Sequence, residues 1–312
     1  LAPAKLPIVY VDSGSSDGSA TWARAKGFDV LELDVARPLS AARARNEGFD
    51  HIRSLNGDLQ YVQFVDGDCE MHPEWIEHGL CAMSAHPGVG IVCGKVIERN
   101  PDTSVYNLLC SLEWQKQPGY ISACGGIFMT RVEVFRSVGG FRNDVMAAED
   151  DELCLRVRRA GWKILAVDEQ MVLHDSAITR FSQWWTRARR AGMAYAQGAA
   201  LHGSSPERHF VRECKSIWFW GLGVPAATLT LTGPTSGLSL FALLAYPALA
   251  TKIYRAARKR GWSHNEAWIY AYFTVIGKYP ALLGVMQFHY RTRWQKRAAT
   301  LIEHKGPSNG SE

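Results

Sequence analysis

An α/β fold is predicted for roughly the first two thirds of this chain, with an apolar helical region after it, and three observations carry that expectation. Short β-branched runs alternate with helix-periodic segments as far as Val167, the pattern of a mainly parallel sheet covered by helices. Polar, acidic loops follow two of these runs, at the carboxyl edge where open α/β sheets bind ligands. After Lys215 the composition shifts, and no charged residue occurs from Ile217 to Thr251.

Each element follows from local chemistry. Ile8 to Val11 reads as a strand, Thr21 to Lys26 as a short helix, Val30 to Leu33 as a strand and Ser40 to Arg53 as a helix. Tyr61 to Val65 is the clearest strand; a helix opens after it at His72-Pro73, since proline suits a first helical turn. Val89 to Val96 and about Ile121 to Met129 read as buried strands. Thr130-x-x-Glu133 has the form of a capping box starting a helix that ends at Gly139-Gly140. Glu149 to Ala160 is helical, closed by Gly161, with Leu153, Val157 and Ala160 on one face and Arg156, Arg158 and Arg159 toward water. Lys163 to Val167 returns to strand. From Ser182 to about Gly198, the spacing of Trp184, Trp185, Ala188, Gly192 and Tyr195 gives one aromatic and small helical face.

At 312 residues and 47% hydrophobic, the chain can bury a substantial core, so disorder is not the default. A net charge of +5 is too small to indicate nucleic acid, and the positive residues cluster beside apolar segments rather than on a nucleic-acid-binding motif. The seven cysteines form no C-x-x-C pair, which argues against a zinc knuckle or disulfide framework and for a reducing compartment. The opening LAPAKLP is too short and polar for a signal peptide. With Leu1 in first place, the natural start of the chain is expected to be missing.

Four clusters carry chemistry. The loop Asp12 to Ser19 follows the first strand; its acids and hydroxyls suit ribose and base better than phosphate, although the same residues also make ordinary turns. Asp66-Gly67-Asp68 ends the strand YVQFV, and two carboxylates spaced this way at a strand end can hold a divalent cation that neutralises a diphosphate. A bare D-x-D is common by chance, so its position gives it weight. Glu149-Asp150-Asp151-Glu152 puts four acids in the first turn of a helix, which suits the helix dipole. One of them can serve as a general base kept ionised by that amino end. His174, in VLHDS, can complete a metal site with Asp68 or be a structural histidine. Arg43 and Arg45 can pair with phosphate oxygens or lie on a solvated face.

Taken in order, VDSGSSDGS, SAARARNEG, FVDGD, CGGIFMTRVEVFRSVGGF and EDDELCLRVRRAG resemble the family-2 glycosyltransferases, over about residues 7 to 175. The resemblance implies a GT-A fold, a divalent cation (Mn²⁺ or Mg²⁺) on Asp66 and especially Asp68, which His174 can join as a third ligand on the residue reading above, and Asp150 as base of an inverting displacement. It also implies nucleotide-sugar contacts by Asp12, Arg45, Asp66 and Glu149, and a sugar and acceptor pocket beside Gly125 and Gly126. The family's usual first strand is absent, and Asp12-Ser13 replaces its Asp-Asp pair. The Q-x-x-R-W motif of processive synthases is not present in Gln183-Trp184-Trp185-Thr186-Arg187, so single addition is expected.

Trp218 to Thr232 and Ser236 to Tyr254 are each slightly short of the roughly 20 residues of a membrane-spanning helix. Around the Gly-Pro turn they are expected to form a membrane hairpin, flanked by Arg212 and Lys215 on one side and Arg255, Arg258, Lys259 and Arg260 on the other. Positive charge on both flanks places the catalytic domain on the cytoplasmic side of the membrane. Ala267 to Tyr290 is expected to lie in the interface, with the basic stretch Arg291 to Arg297 facing anionic lipid. A soluble helical subdomain is the other reading of this region. The expected organisation is a GT-A domain over 1–210, a hydrophobic helical region over 211–300 and a disordered polar tail over 301–312. Functionally, a transferase using a nucleotide diphosphate sugar, UDP-linked, and a membrane-proximal or lipid-linked glycan acceptor is expected. A catalytically silent GT-A domain serving as a membrane-bound assembly partner is the alternative.

Overall fold

The computed structural model describes residues 6–294, and the expected tail over 301–312 lies outside them. Eight strands and seven helices build the amino-terminal domain. In chain order these are β1 (Val9–Asp12), α1 (Ser19–Ala25), β2 (Asp29–Glu32), α2 (Ala41–Leu55), β3 (Tyr61–Phe64), β4 (Cys69–Met71), α3 (Trp75–Ala85) and β5 (Val89–Glu98). There follow α4 (Val105–Trp114), β6 (Gly119–Ile121), β7 (Phe128–Arg131), α5 (Val132–Ser137), α6 (Glu149–Arg159), β8 (Lys163–His174) and α7 (Phe181–His202).

The expectation of a mainly parallel sheet needs correction. β1 and β2 pair in parallel as a separate two-stranded sheet, while the larger sheet runs β3-β7-β5-β8-β4, with β6 also on β8. Only β5 and β8 are parallel there; the β3·β7, β5·β7, β4·β8 and β6·β8 pairs are antiparallel. Strand direction depends on how long connections return, which periodicity does not encode. The strand expected over Ile121 to Met129 is two short strands, β6 and β7, separated by the loop that carries Gly125 and Gly126.

Local signals misled in two further places. Thr130 does not cap α5; its hydroxyl donates to the buried carbonyl of Gly90 at 3.0 Å, and Arg131 is the capping residue. Arg156 does not face water but pairs with buried Glu152 at 2.6 Å. The core lies between β5 and its neighbours, with Val89, Ile91, Val92, Phe128 and Met171 almost fully buried. A knot of Phe49, Phe64, Phe135 and Phe141 locks α2 and α5 onto β3 at ring separations of 4.5 to 5.5 Å. Each such side chain contributes roughly 1.5–3 kcal/mol by burial, so the strand ends bearing the acidic motifs are rigidly held.

The carboxyl-terminal region consists of α8 (Val211–Trp218), a π turn (Phe219–Gly223), α9 (Val224–Leu231), a 3-10 segment (Leu238–Leu244), α10 (Ala245–Lys259), α11 (His264–Ile276) and α12 (Lys278–Trp294). α12 crosses α7 closely: a Cβ on Gly192 would lie 2.0 Å from the Ala281 carbonyl oxygen, and one on Gly284 2.0 Å from that of Arg189. Trp262, after α10, is buried against Leu112 of α4 and donates to Gln115 at 2.7 Å. Among the described residues one helical stretch is long and apolar enough to cross a membrane by length and composition, His264–Arg293. The sequence placed its expected crossings earlier, in the hairpin, and read this stretch as interfacial.

Candidate active site

The motif Arg45-Asn46-Glu47-Gly48 on α2 organises the site. A Cβ on Gly48 would lie 2.6 Å from Val11, so glycine lets α2 approach β1. Asn46 exchanges hydrogen bonds with the Phe141 backbone, donating at 2.7 Å and accepting at 2.9 Å. Arg45 donates to Asp66 at the end of β3 and to Glu149 at the start of α6, both at 2.6 Å. One guanidinium thus joins two acidic motifs far apart in sequence. Burial opposes its charge, but the two carboxylates outweigh that and raise it above the ordinary arginine value. Gly126 completes the arrangement, since a Cβ there would sit 2.5 Å from the Arg45 guanidinium. Gly125 has φ +83°, a conformation that favours glycine, and lies against Trp114.

Arg43 behaves otherwise. It is buried, pairs with Glu47 at 2.6 Å and donates to the carbonyls of Asp34, Arg37 and Pro38. It therefore braces the loop before α2, which is neither the phosphate contact nor the solvated face considered from sequence.

Asp12 is 5% exposed. Its Oδ2 accepts from the Gly14 and Ser15 amides at 3.0 Å each, shaping the loop, while buried Oδ1 has no partner among the described residues. A buried acceptor of this kind suits an N–H or O–H of a bound nucleoside.

His174, Cys69 and Asp68 converge at the far end of the larger sheet. His174 stands opposite Cys69 on β4 and beside Glu98 on β5 in the strand register. Its Nδ1 lies 2.8 Å from buried Glu98, whose other oxygen accepts from the Ser176 amide. An ionised carboxylate only accepts, so this contact calls for a proton on Nδ1, and in the neutral imidazole Nε2 is then the nitrogen that can bind a metal. Nε2 lies 3.9 Å from Asp68 Oδ1, and with Cys69 Sγ these potential ligand atoms all fall within 4.8 Å of one another. That spacing, and a histidine oriented by a buried carboxylate, fit a divalent cation. Asp66 is not in this group; its carboxylate is held by Arg45. Cys69 and Glu98 were not found from sequence, because each enters only through cross-strand register. Burial, with Asp68 and Asp66 nearby, pushes the Cys69 thiol far above its usual range.

The acid cluster opens α6 after Ala148, whose left-handed φ of 57° bends the chain into the helix. Its four acids divide. Glu149 binds Arg45, Glu152 is 2% exposed and binds Arg156 and His202, and Asp150 accepts from the Asp151 amide at 3.0 Å. Asp150 was expected to be kept ionised by the helix end. Burial foremost, and then Glu149, instead raise its pKa, against the opposing pull of Arg45. Asp151 is pushed up to about 7, by burial and then by Asp150. A helix dipole stabilises charge by only about 0.3–1 kcal/mol near the surface, whereas burial of the carboxylate disfavours it.

A polar loop after β1, a cluster of possible metal ligands on the larger sheet and a carboxylate-rich helix tied to β3 through Arg45 are the arrangement of a GT-A fold. Residues 3–139 match the family described as glycosyl transferase family 2, and residues 108–178 match the N-terminal domain of galactosyltransferase. Over residues 3–139 this chain is similar to glycosyltransferase family 2. Glycosyltransferase AglE of Haloferax volcanii is 26% identical over 180 residues, 55% of this chain and 57% of that protein. Pre-mycofactocin glycosyltransferase of Mycobacterium tuberculosis is 26% identical over 215 residues, 63% and 43% of the two chains. N-acetylglucosaminyl-diphospho-decaprenol L-rhamnosyltransferase of the same species is 26% identical over 210 residues, 55% and 67%. This chain thus spans about half the length of the first two relatives. In fold it is similar to mannosyltransferase PcManGT from Pyrobaculum calidifontis in complex with GDP-Man and Mn²⁺, with a TM-score of 0.55, 18% identity, and 94% of this chain and 79% of that one covered.

Proposed function

We propose that this chain transfers a sugar from a nucleoside diphosphate sugar, UDP-linked, to a membrane-proximal or lipid-linked glycan acceptor, with inversion at the anomeric carbon. The observation that carries the reading is the Arg45 bridge, which draws Asp66 of the D-G-D motif and Glu149 of the acid cluster onto one guanidinium. Donor-binding and base-bearing segments then share one site. Asp150 takes the proton from an acceptor hydroxyl as that oxygen bonds to the anomeric carbon. The bond from that carbon to the donor phosphate breaks on the opposite face, so the diphosphate leaves and configuration inverts. A raised pKa suits this task, because a base titrating nearer neutral pH is a stronger proton acceptor.

Asp12 and its loop receive the nucleoside, and Gly125 and Gly126 leave room for the sugar. Asp68 and His174 would hold Mn²⁺ or Mg²⁺, which would supply positive charge to the leaving diphosphate, while Asp66 stays on Arg45. A relative whose name specifies a decaprenol-linked substrate, together with the apolar carboxyl-terminal region, supports an acceptor at a membrane, and the basic residues on both flanks of that region support a catalytic domain on its cytoplasmic side.

Calorimetric titration of the full chain with UDP- and GDP-linked sugars, with and without Mn²⁺, tests the donor half of this reading. Binding of at least one donor, tightened by the metal and weakened by Asp68→Ala, is expected. Failure of every donor to bind in the presence of metal would overturn it.

A further inference from the structure

Residues 217–251 combine an uncharged sequence with a hairpin that stands away from the packed helices. Its base is anchored. Ile217 is buried in the α7–α12 cluster, and Tyr246 donates to the Trp220 carbonyl. Beyond that base, α9 and the 3-10 segment pack mainly on each other, leaving large side chains bare: Leu229 is 73% exposed, Phe241 69% and Leu238 67%, with Phe219, Leu240 and Leu244 at 50% or more. A contiguous apolar surface of this kind marks an interaction site.

Length decides how it meets a bilayer. From Ile217 to Leu231 the first leg rises about 22 Å at 1.5 Å per residue, and the second, partly 3-10, about 25 Å. Both fall short of a hydrocarbon core about 30 Å thick. A spanning hairpin would put its turn in water on the far side, whereas a turn that stops inside lipid must satisfy its own polar groups.

Many of the polar groups of the hairpin and its turn are satisfied within it. The hydroxyls of Thr228, Thr230, Thr232 and Thr235 donate to the carbonyls of Val224, Ala226, Thr228 and Leu231 at 2.6–2.9 Å, and that of Ser239 donates across the hairpin to Thr228 at 2.8 Å. The amides of Thr235, Ser236, Gly237 and Ser239 also find oxygens within the turn. Charge completes the case. Arg212 and Lys215 precede the legs, Lys252, Arg255, Arg258, Lys259 and Arg260 follow them, and Glu213 is the one acid from Val211 to Gly261. Trp218, Trp220 and Tyr246 lie between these cations and the apolar legs, as interfacial aromatics do.

We propose that residues 217–251 form a re-entrant anchor, which enters an anionic lipid bilayer from the catalytic domain's side and returns without crossing it. This rests on the membrane-proximal reading above and specifies its geometry.

The test uses the full chain reconstituted in vesicles of phosphatidylcholine and phosphatidylglycerol. Ser236→Cys places a thiol at the turn and Arg255→Cys one at the base, each probed with a membrane-impermeant maleimide added outside or trapped inside, the labelled peptide being read by mass spectrometry. The expected result is that Cys at 255 is labelled from one face and Cys at 236 from neither until detergent is added. Labelling of the turn from the face opposite the base shows a spanning hairpin, and labelling from the same face shows one lying on the surface; either overturns the proposal. Protein that fails to co-float with the vesicles overturns the membrane reading itself, a result distinct from the other two.

Discussion

Replacing Arg45 with methionine removes the cation between Asp66 and Glu149, and its place over the Phe141 ring, while keeping an unbranched apolar side chain. The two arms contribute unequally. Asp66 is 38% exposed, so water replaces its partner and the loss there is at most about 1 kcal/mol. Glu149 is 13% exposed and would be left as an uncompensated buried charge, which typically costs about 3–5 kcal/mol. A ceiling applies, because a buried glutamate can always take a proton. At pH 7 that escape costs about 3.7 kcal/mol from an ordinary glutamic pKa near 4.3, and at pH 5 only about 1 kcal/mol. Once Arg45 is gone, Glu149 binds its proton more tightly folded than unfolded, so stability is lost as pH rises above the unfolded value. Urea denaturation of Arg45→Met should therefore show a deficit of about 3–4 kcal/mol at pH 7 that shrinks to about 1–2 kcal/mol at pH 5. The double variant Arg45→Met/Glu149→Gln should recover much of the pH 7 loss. A deficit below about 1 kcal/mol, or one independent of pH between 5 and 7, would refute the bridge as the element joining the two motifs.

Other expectations follow from the same geometry. Because the Asp150 and Asp151 carboxyls are held above their ordinary range, with Asp151 near 7, turnover should fall as pH drops through a window above the ordinary carboxylate range, measured as kcat against pH. Glu98→Gln removes the carboxylate that orients His174, and Mn²⁺ affinity measured by electron paramagnetic resonance should weaken about 10- to 100-fold. Gly192→Val pushes a side chain into the Ala281 backbone of α12 and should cost about 3 kcal/mol, visible as a lowered Tm, while donor binding to protein that remains folded is unchanged.

What the sequence reveals here is mostly what is local. β1, α2, β3, α6 and α7 come within a few residues of their expected bounds, because β-branched runs and 3.6-residue periodicity are written in neighbouring side chains. Strand direction, the division of Ile121 to Met129 into β6 and β7, and the role of Thr130 depend on partners 40 or more residues away, and no local pattern reports them. The site divides the same way. Asp12, Asp66, Asp68, Asp150 and His174 announce themselves by chemistry and position, and the structure brings Asp68 and His174 together. Glu98 and Cys69 join them only through register. The upward shift of Asp150 was not foreseen because a helix amino end is legible in sequence, whereas burial among other acids is not.

Transfer catalysed by Asp150 is tested most directly by the anomeric configuration of the product. Wild-type full chain and Asp150→Asn should be incubated with the donor that binds, Mn²⁺ and a lipid-linked acceptor, and the glycoside formed followed by NMR. Inverted product from the wild type, with the rate lowered at least about 100-fold in the variant and donor binding retained, is the predicted result. Product with retained configuration, or a variant that turns over at the wild-type rate, would contradict it.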